Sequence, residues 1–116
     1  MYLPDAEHAT IAPEKITAYL LVPEHRDNRG KAAFFFRYGF TMDAWEMLAV
    51  ALVTHGGAHP ITATRQRPDG MLYGVTGDMA MPDGRVRRVL TAWFIPNEGG
   101  APRFCDRVSG IGGQRQ

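Results

Sequence analysis

Within PEHRDNRGK, residues 23–31, one imidazole and three cations crowd a loop that carries no apolar anchor. His25 brings a side-chain type that titrates near neutral pH, about 6.5 in model compounds, and so can take or give a proton. Arg29 brings a planar donor fork that suits phosphate or carboxylate. Lys31 falls where a helix is expected to begin, beside backbone N–H groups that favour an anion. Together these are the parts for moving a proton next to a bound anion. The ordinary alternatives are a solvated loop histidine and a lysine whose stem lies along the phenylalanines that follow it.

The charge is divided along the chain. Residues 1–60 hold five Lys/Arg against seven Asp/Glu, a net of −2; residues 61–116 hold eight against five, a net of +3, and all eight are arginines. The total of +1 gives no strong pull toward nucleic acid or a membrane surface. A solvated sheet face explains such arginines as readily as a ligand does.

Several classes of chemistry are disfavoured. Cys105 is the only cysteine, so no internal disulfide and no paired zinc spacing exists. His8, His25, His55 and His59 form no recognised metal motif; His55 and His59 are four apart, but Gly56-Gly57 between them argues against a helix there. No cofactor and no metal is expected. The opening MYLPDAEHATIAPEK lacks a basic region followed by an apolar run, and no apolar stretch approaches the roughly 20 residues that span a bilayer. The expectation is a cytoplasmic protein with no membrane partner.

These residues need elements to hold them. With 116 residues, 45% of them hydrophobic and 22% charged, the chain suits a single domain with its own core. Residues 1–110 are read as that domain and 111–116 as a frayed tail. HATIA reads as a short edge strand. Pro13 and Glu14 suit the first turn of a helix, with Ile16, Tyr19 and Leu20 as its buried stripe and Pro23 as its end. A second helix is expected from Gly30-Lys31 to a stop at Gly39. Its three adjacent phenylalanines, fanned at about 100° per residue, imply burial on most sides. A third begins at Asp43, with Glu46 at capping-box spacing. Trp45, Leu48, Ala49 and Leu52 form its stripe, and Gly56-Gly57 end it.

Beyond residue 60 the punctuation changes to Pro68-Asp69-Gly70, Pro82-Asp83-Gly84 and Asn97-Glu98-Gly99-Gly100. These are turn residues with a backbone reason to be there. They divide the remainder into four antiparallel strands. In the third strand Val86, Arg88, Leu90, Ala92 and Phe94 share one face, and Arg87, Val89, Thr91, Trp93 and Ile95 the other. The expected fold is α+β, with two to three N-terminal helices packed on one face of a C-terminal four-stranded antiparallel meander.

Four motifs in order, IAPEKITAYLL, PEHRDNRGKAAFF, RPDGMLYGVTGDMAMPDGR, and VLTAWFI followed by APRF, resemble an uncharacterised bacterial family, domain-of-unknown-function family 6883. The resemblance spans roughly residues 8–107. That family is in turn similar to toxin domains of the barnase, EndoU, colicin and RelE-like fold. The resemblance implies metal-free RNA cleavage near the second helix and the open sheet face, in a toxin–antitoxin or polymorphic toxin system. It also implies a small antitoxin or immunity protein as partner.

Such cleavage needs a base, an acid and cations to offset phosphoryl charge. On this reading His25, Lys31, Thr91 and Arg103 are the expected catalytic residues. Arg29, Arg87 and Trp93 are the expected contacts to RNA, with Trp93 stacking a base. Thr91 and Trp93 are equally at home as strand and core residues. Phe104, Cys105 and Asp106 stand where the resembling family tends to carry a threonine after Pro-Arg, and a carboxylate there would repel phosphate unless protonated or paired. The alternative is therefore a non-catalytic protein-binding module, or an inhibitor that keeps the toxin-like fold and docks on a nucleic-acid-handling enzyme.

Overall fold

The computed structural model describes residues 1–25 and 30–110, with side chains described up to Cys105. Arg29, the side chain of Asp106 and the tail 111–116 lie outside the described residues.

Strands β1 (Ile61–Arg67), β2 (Gly70–Ala80), β3 (Val86–Pro96) and β4 (Arg103–Gly110) form one antiparallel sheet in the order β1-β2-β3-β4. The glycine-bearing turns sit where the sequence puts them. Between β2 and β3, the Asp83 carboxylate accepts the Arg85 backbone N–H at 2.9 Å, and Met81 N–H donates to the Arg85 carbonyl at 2.8 Å. The helices precede the sheet: a 3-10 turn at Ala6–His8, then α1 (Pro13–Lys15), α2 (Lys31–Arg37) and α3 (Trp45–Ala58). HATIA contributes less than a strand. Thr10 makes a single parallel bridge to Arg103, donating to the Pro102 carbonyl and accepting from Phe104 N–H.

Strand alternation settles which residues meet the helices. Val89, Thr91 and Trp93 of β3 are fully buried beside Val75 of β2 and Phe104 of β4, under Leu48 and Leu52 of α3. Ile16, Leu20, Leu21 and Phe35 close the same core. Burial of each such large side chain contributes about 1.5–3 kcal/mol.

The helices differ locally from the sequence reading. α1 is one turn long and runs into a π-helical turn over Ile16–Leu20, closed by Leu21 N–H to the Ile16 carbonyl at 3.0 Å. The wider turn admits an extra residue while keeping Ile16 and Leu20 inward. α2 starts at Lys31 after Gly30 in the left-handed region (φ 83°). It ends in a Schellman arrangement: Phe40 N–H bonds the Phe35 carbonyl, Gly39 N–H bonds the Phe36 carbonyl, and Gly39 has φ 108°. Only Phe35 of the phenylalanine trio is in the core; Phe34 is half-buried and Phe36 exposed, so α2 is buried on one side rather than most.

α3 departs in two ways. Asp43 does not cap it; Thr41 Oγ1 accepts the Ala44 N–H at 3.1 Å instead. The helix also continues through Gly56-Gly57 to Ala58. Gly56 is there because the Trp93 indole lies against the helix backbone: a Cβ at that position would sit 2.6 Å from its ring carbons. The glycine lets sheet and helix approach closely and does not end the helix.

Candidate functional site

The π-helical turn and the first residue of α2 bring three proton-bearing groups into contact. The Lys31 ammonium donates to the Tyr19 hydroxyl oxygen at 2.9 Å and lies 5.2 Å from the centre of its ring. The His25 ring meets the same tyrosine edge-on, with centroids 4.9 Å apart and planes at 85°. All three side chains are half-buried, neither sealed in the core nor swept by bulk water. His25 is held at the end of a turn by its N–H to the Val22 carbonyl at 3.1 Å. The cluster thus offers an imidazole and a phenol to move protons and an ammonium to offset negative charge, all gathered on one aromatic ring.

The structure joins His25 and Lys31 through Tyr19, and it places Thr91, Trp93, Arg87 and Arg103 elsewhere. Thr91 and Trp93 point into the core and are fully buried. That leaves the expected catalytic threonine and base-stacking tryptophan enclosed in the core of this structure. Both serve α3 instead. His55 Nε2 lies 2.9 Å from the Val89 carbonyl and 3.1 Å from the Gly77 carbonyl, and its Nδ1 lies 3.0 Å from Thr91 Oγ1. Carbonyls only accept, so Nε2 carries the proton and Nδ1 accepts. The Thr91 hydroxyl therefore donates to Nδ1, and its oxygen accepts the Trp93 indole N–H at 2.9 Å. Every polar atom of this buried relay is satisfied. Burial, the largest cause, pushes the His55 pKa below its ordinary value, with nearby His59 adding to the effect and the two carbonyls opposing it.

The arginines also separate. Arg87 lies 5.4 Å from the Tyr38 ring centre and Arg85 lies 4.6 Å from it. The Arg85 guanidinium is already paired with Asp83 at 2.8 Å and holds that carboxyl below its usual range. Arg103 is on the opposite, open face of the sheet, its guanidinium 5.7 Å from the Phe94 ring centre. The register sets Arg65, Leu72, Phe94 and Arg103 in one row across all four strands. Leu72 is itself buried, so what this row offers a base flanked by phosphates is the half-buried Phe94 ring beside the Arg103 guanidinium.

Two participants escaped the sequence reading. Tyr19 fits the apolar stripe of its helix, and nothing local says that its hydroxyl meets a lysine twelve residues away. His55 had a signal, its four-residue spacing from His59, which Gly56-Gly57 obscured. The two rings do face one another, with centroids 5.1 Å apart. Asp5, Glu7 and His8 bring their ligand atoms within 4.8 Å of one another, but all three are exposed. The 2.7 Å contact from His8 to Asp5 accounts for their closeness and raises the His8 pKa.

The family profile described as Domain of unknown function (DUF6883) matches residues 2–108. The chain belongs to this family. Among curated proteins none matches it. Among solved structures it is similar to a chain from the "Contact-dependent growth inhibition toxin - immunity protein complex from Klebsiella pneumoniae 342". The TM-score is 0.69 at 13% identity, covering 91% of this chain and 96% of that one. At that identity the likeness concerns the fold, and its near-complete coverage shows that helices and meander follow one shared plan. No helix among the described residues is long and apolar enough to cross a membrane.

Proposed function

We propose that this domain is a toxin-like, metal-independent endoribonuclease of a bacterial conflict system, acting on cytoplasmic RNA and neutralised by a protein partner. The observation that carries the reading is the Tyr19–His25–Lys31 cluster, in which a 2.9 Å ammonium–phenol contact and an imidazole share one ring. In the proposed reaction a base takes the proton of a ribose 2′-hydroxyl, and that oxygen bonds to phosphorus. The bond from phosphorus to the 5′-oxygen breaks, and an acid protonates the departing oxygen. His25 and Tyr19 fill the proton-transfer roles, while Lys31 offsets charge on the phosphoryl oxygens. Arg103, beside Phe94, binds the flanking strand of RNA. The fold shared with a chain of a toxin–immunity complex lends support to the setting and to a protein partner.

Purified protein should cut RNA in the presence of EDTA. His25→Ala and Lys31→Ala should each lower the rate by about 10²-fold or more, the range of a positioned proton-transfer group. Intact RNA with wild-type protein, or full activity in both variants, refutes the reading.

A second reading, a non-catalytic binding module or inhibitor that docks on a nucleic-acid-handling enzyme, is favoured by the burial of Thr91 and Trp93. Their use in the core leaves fewer groups for chemistry. It predicts tight protein binding with no turnover of RNA.

A further inference from the structure

β2 is longer than the strand beside it. Its pairing with β1 ends at Ile61↔Val75, whereas its pairing with β3 runs on through Ala80↔Val86. Residues Thr76–Ala80 therefore have a strand partner on one side only. In an antiparallel sheet, backbone groups of alternate residues point to opposite neighbours, so this edge presents alternate N–H and C=O groups outward. His59 Nε2 reaches the Asp78 carbonyl at 2.7 Å and covers one of them.

Beside the end of this edge lies an apolar groove of about 440 Å³. Met47, Val50 and Ala51 of α3 form one wall, with Glu46 at its rim; Phe40, Met81 and Pro82 form the other. Val50 is 66% exposed and Met47 53%, an unusual amount of aliphatic surface to leave in water on one helix ridge.

We infer that the Thr76–Ala80 edge and this groove together receive an extended segment of a partner protein. The segment adds to the sheet as a fifth strand, with apolar side chains at every second position and a lysine or arginine between them. Pleat geometry fixes the alternation. A guest residue opposite Met79 points to the helix side, toward the groove, and one opposite Asp78 points to the open face.

Charge selects the guest. Asp78 is exposed at the centre of the edge and points to the open face, with Arg88 of β3 on one side and the guest strand on the other, so it favours a lysine or arginine in the guest there. The same aspartate argues against a second copy of this chain: the register that pairs the whole edge with itself sets Asp78 opposite Asp78, and like charges directly opposite are destabilising. Strand addition of this kind draws affinity from main-chain hydrogen bonds and specificity from the pockets for alternate side chains. The site is independent of the ribonuclease reading, since it involves none of Tyr19, His25 or Lys31.

The probe is a capped eight-residue peptide with valine at every second position and one lysine among the intervening threonines, titrated into the full chain and followed by amide NMR shifts. Binding should perturb Asp78, Ala80, Met47 and Val50. N-methylating the peptide amides that face β2 should weaken binding by about tenfold or more, roughly the worth of one or two hydrogen bonds. Replacing its lysine with glutamate should weaken it by a few-fold, the scale of a cross-strand charge pair. Val50→Lys, at an exposed position that does not threaten the fold, should weaken it as well, and Ala80→Pro should remove an outward N–H on an edge that tolerates proline. Undiminished binding of the N-methylated peptide, shifts elsewhere on the molecule, no binding at millimolar peptide, or dimerisation through β2 would each overturn the proposal.

Discussion

Replacing Thr91 with valine keeps the shape of the strand and removes one hydroxyl, which makes it the cleanest probe of how α3 is tied to the sheet. The hydroxyl donates to His55 Nδ1 and accepts from the Trp93 indole, and its loss orphans one buried acceptor and one buried donor. Each orphan costs about 1–3 kcal/mol, and the added methyl returns about 1 kcal/mol. The expected net loss is about 3 kcal/mol, a large share of the roughly 5–15 kcal/mol that holds a domain together. At about 4 °C per kcal/mol for a chain of this size, the melting temperature should fall by roughly 12 °C. Urea unfolding is the assay: the midpoint should fall while the denaturant slope stays unchanged. Thr62→Val is the control, because its hydroxyl contact to Thr76 is exposed and such surface changes stay within about 0.5 kcal/mol. At a temperature where Thr91→Val remains folded, it should also cleave RNA at the wild-type rate, since the side chain is sealed from any substrate. A loss no larger than the control's, or selective loss of activity in a fully folded protein, would refute the relay as a structural device.

The remaining predictions concern the same helix and its histidines. Because burial depresses the His55 pKa, the unfolded chain binds a proton below about pH 6.5 that the native state refuses. Stability should therefore decline as the pH falls from there toward the folded-state pKa, with a slope of up to about 1.4 kcal/mol per pH unit. His8 works in the opposite sense, since Asp5 raises its pKa, so the titration belongs in a His8→Ala background; a flat profile there contradicts the assignment. Gly56→Ala should destabilise by about 2 kcal/mol despite the better helix propensity of alanine, because its Cβ overlaps the Trp93 ring. Gly57→Ala, whose Cβ meets only that of Ala6 at 3.2 Å, should cost less than about 1 kcal/mol. Equal effects from the two, read by urea unfolding, would show that Trp93 does not press on the helix in solution.

The parts of this fold written in local chemistry were legible. Pro68-Asp69 and Pro82-Asp83-Gly84 mark the ends of strands because they set backbone angles within four residues of chain, Gly84 with a φ of 93°. Gly39 marks the end of α2 for the same reason. What stayed hidden depends on a distant partner. Gly56-Gly57 looks like a helix end until the indole of Trp93 is laid against it. Thr91 and Trp93 share a strand face with Arg87, and only the packing of α3 decides that the first two are interior while the arginine reaches Tyr38. The four residues expected to act together are divided, with His25 and Lys31 on Tyr19, Thr91 in the core and Arg103 on the open face. Spacing alone puts Tyr19 in a buried stripe, because it shows which way a side chain leans and not what its far end touches.

If groups gathered on Tyr19 cut RNA without a metal, the ends left on a short oligoribonucleotide incubated in EDTA will carry the signature. The cut should leave a 2′,3′-cyclic phosphate and a 5′-hydroxyl. No cut should occur where the 2′-hydroxyl is replaced by hydrogen, and the rate should collapse in Lys31→Ala while its melting curve holds. A substrate left intact by wild-type protein, or a cut that appears only with added divalent metal and leaves a 5′-phosphate, would contradict this chemistry.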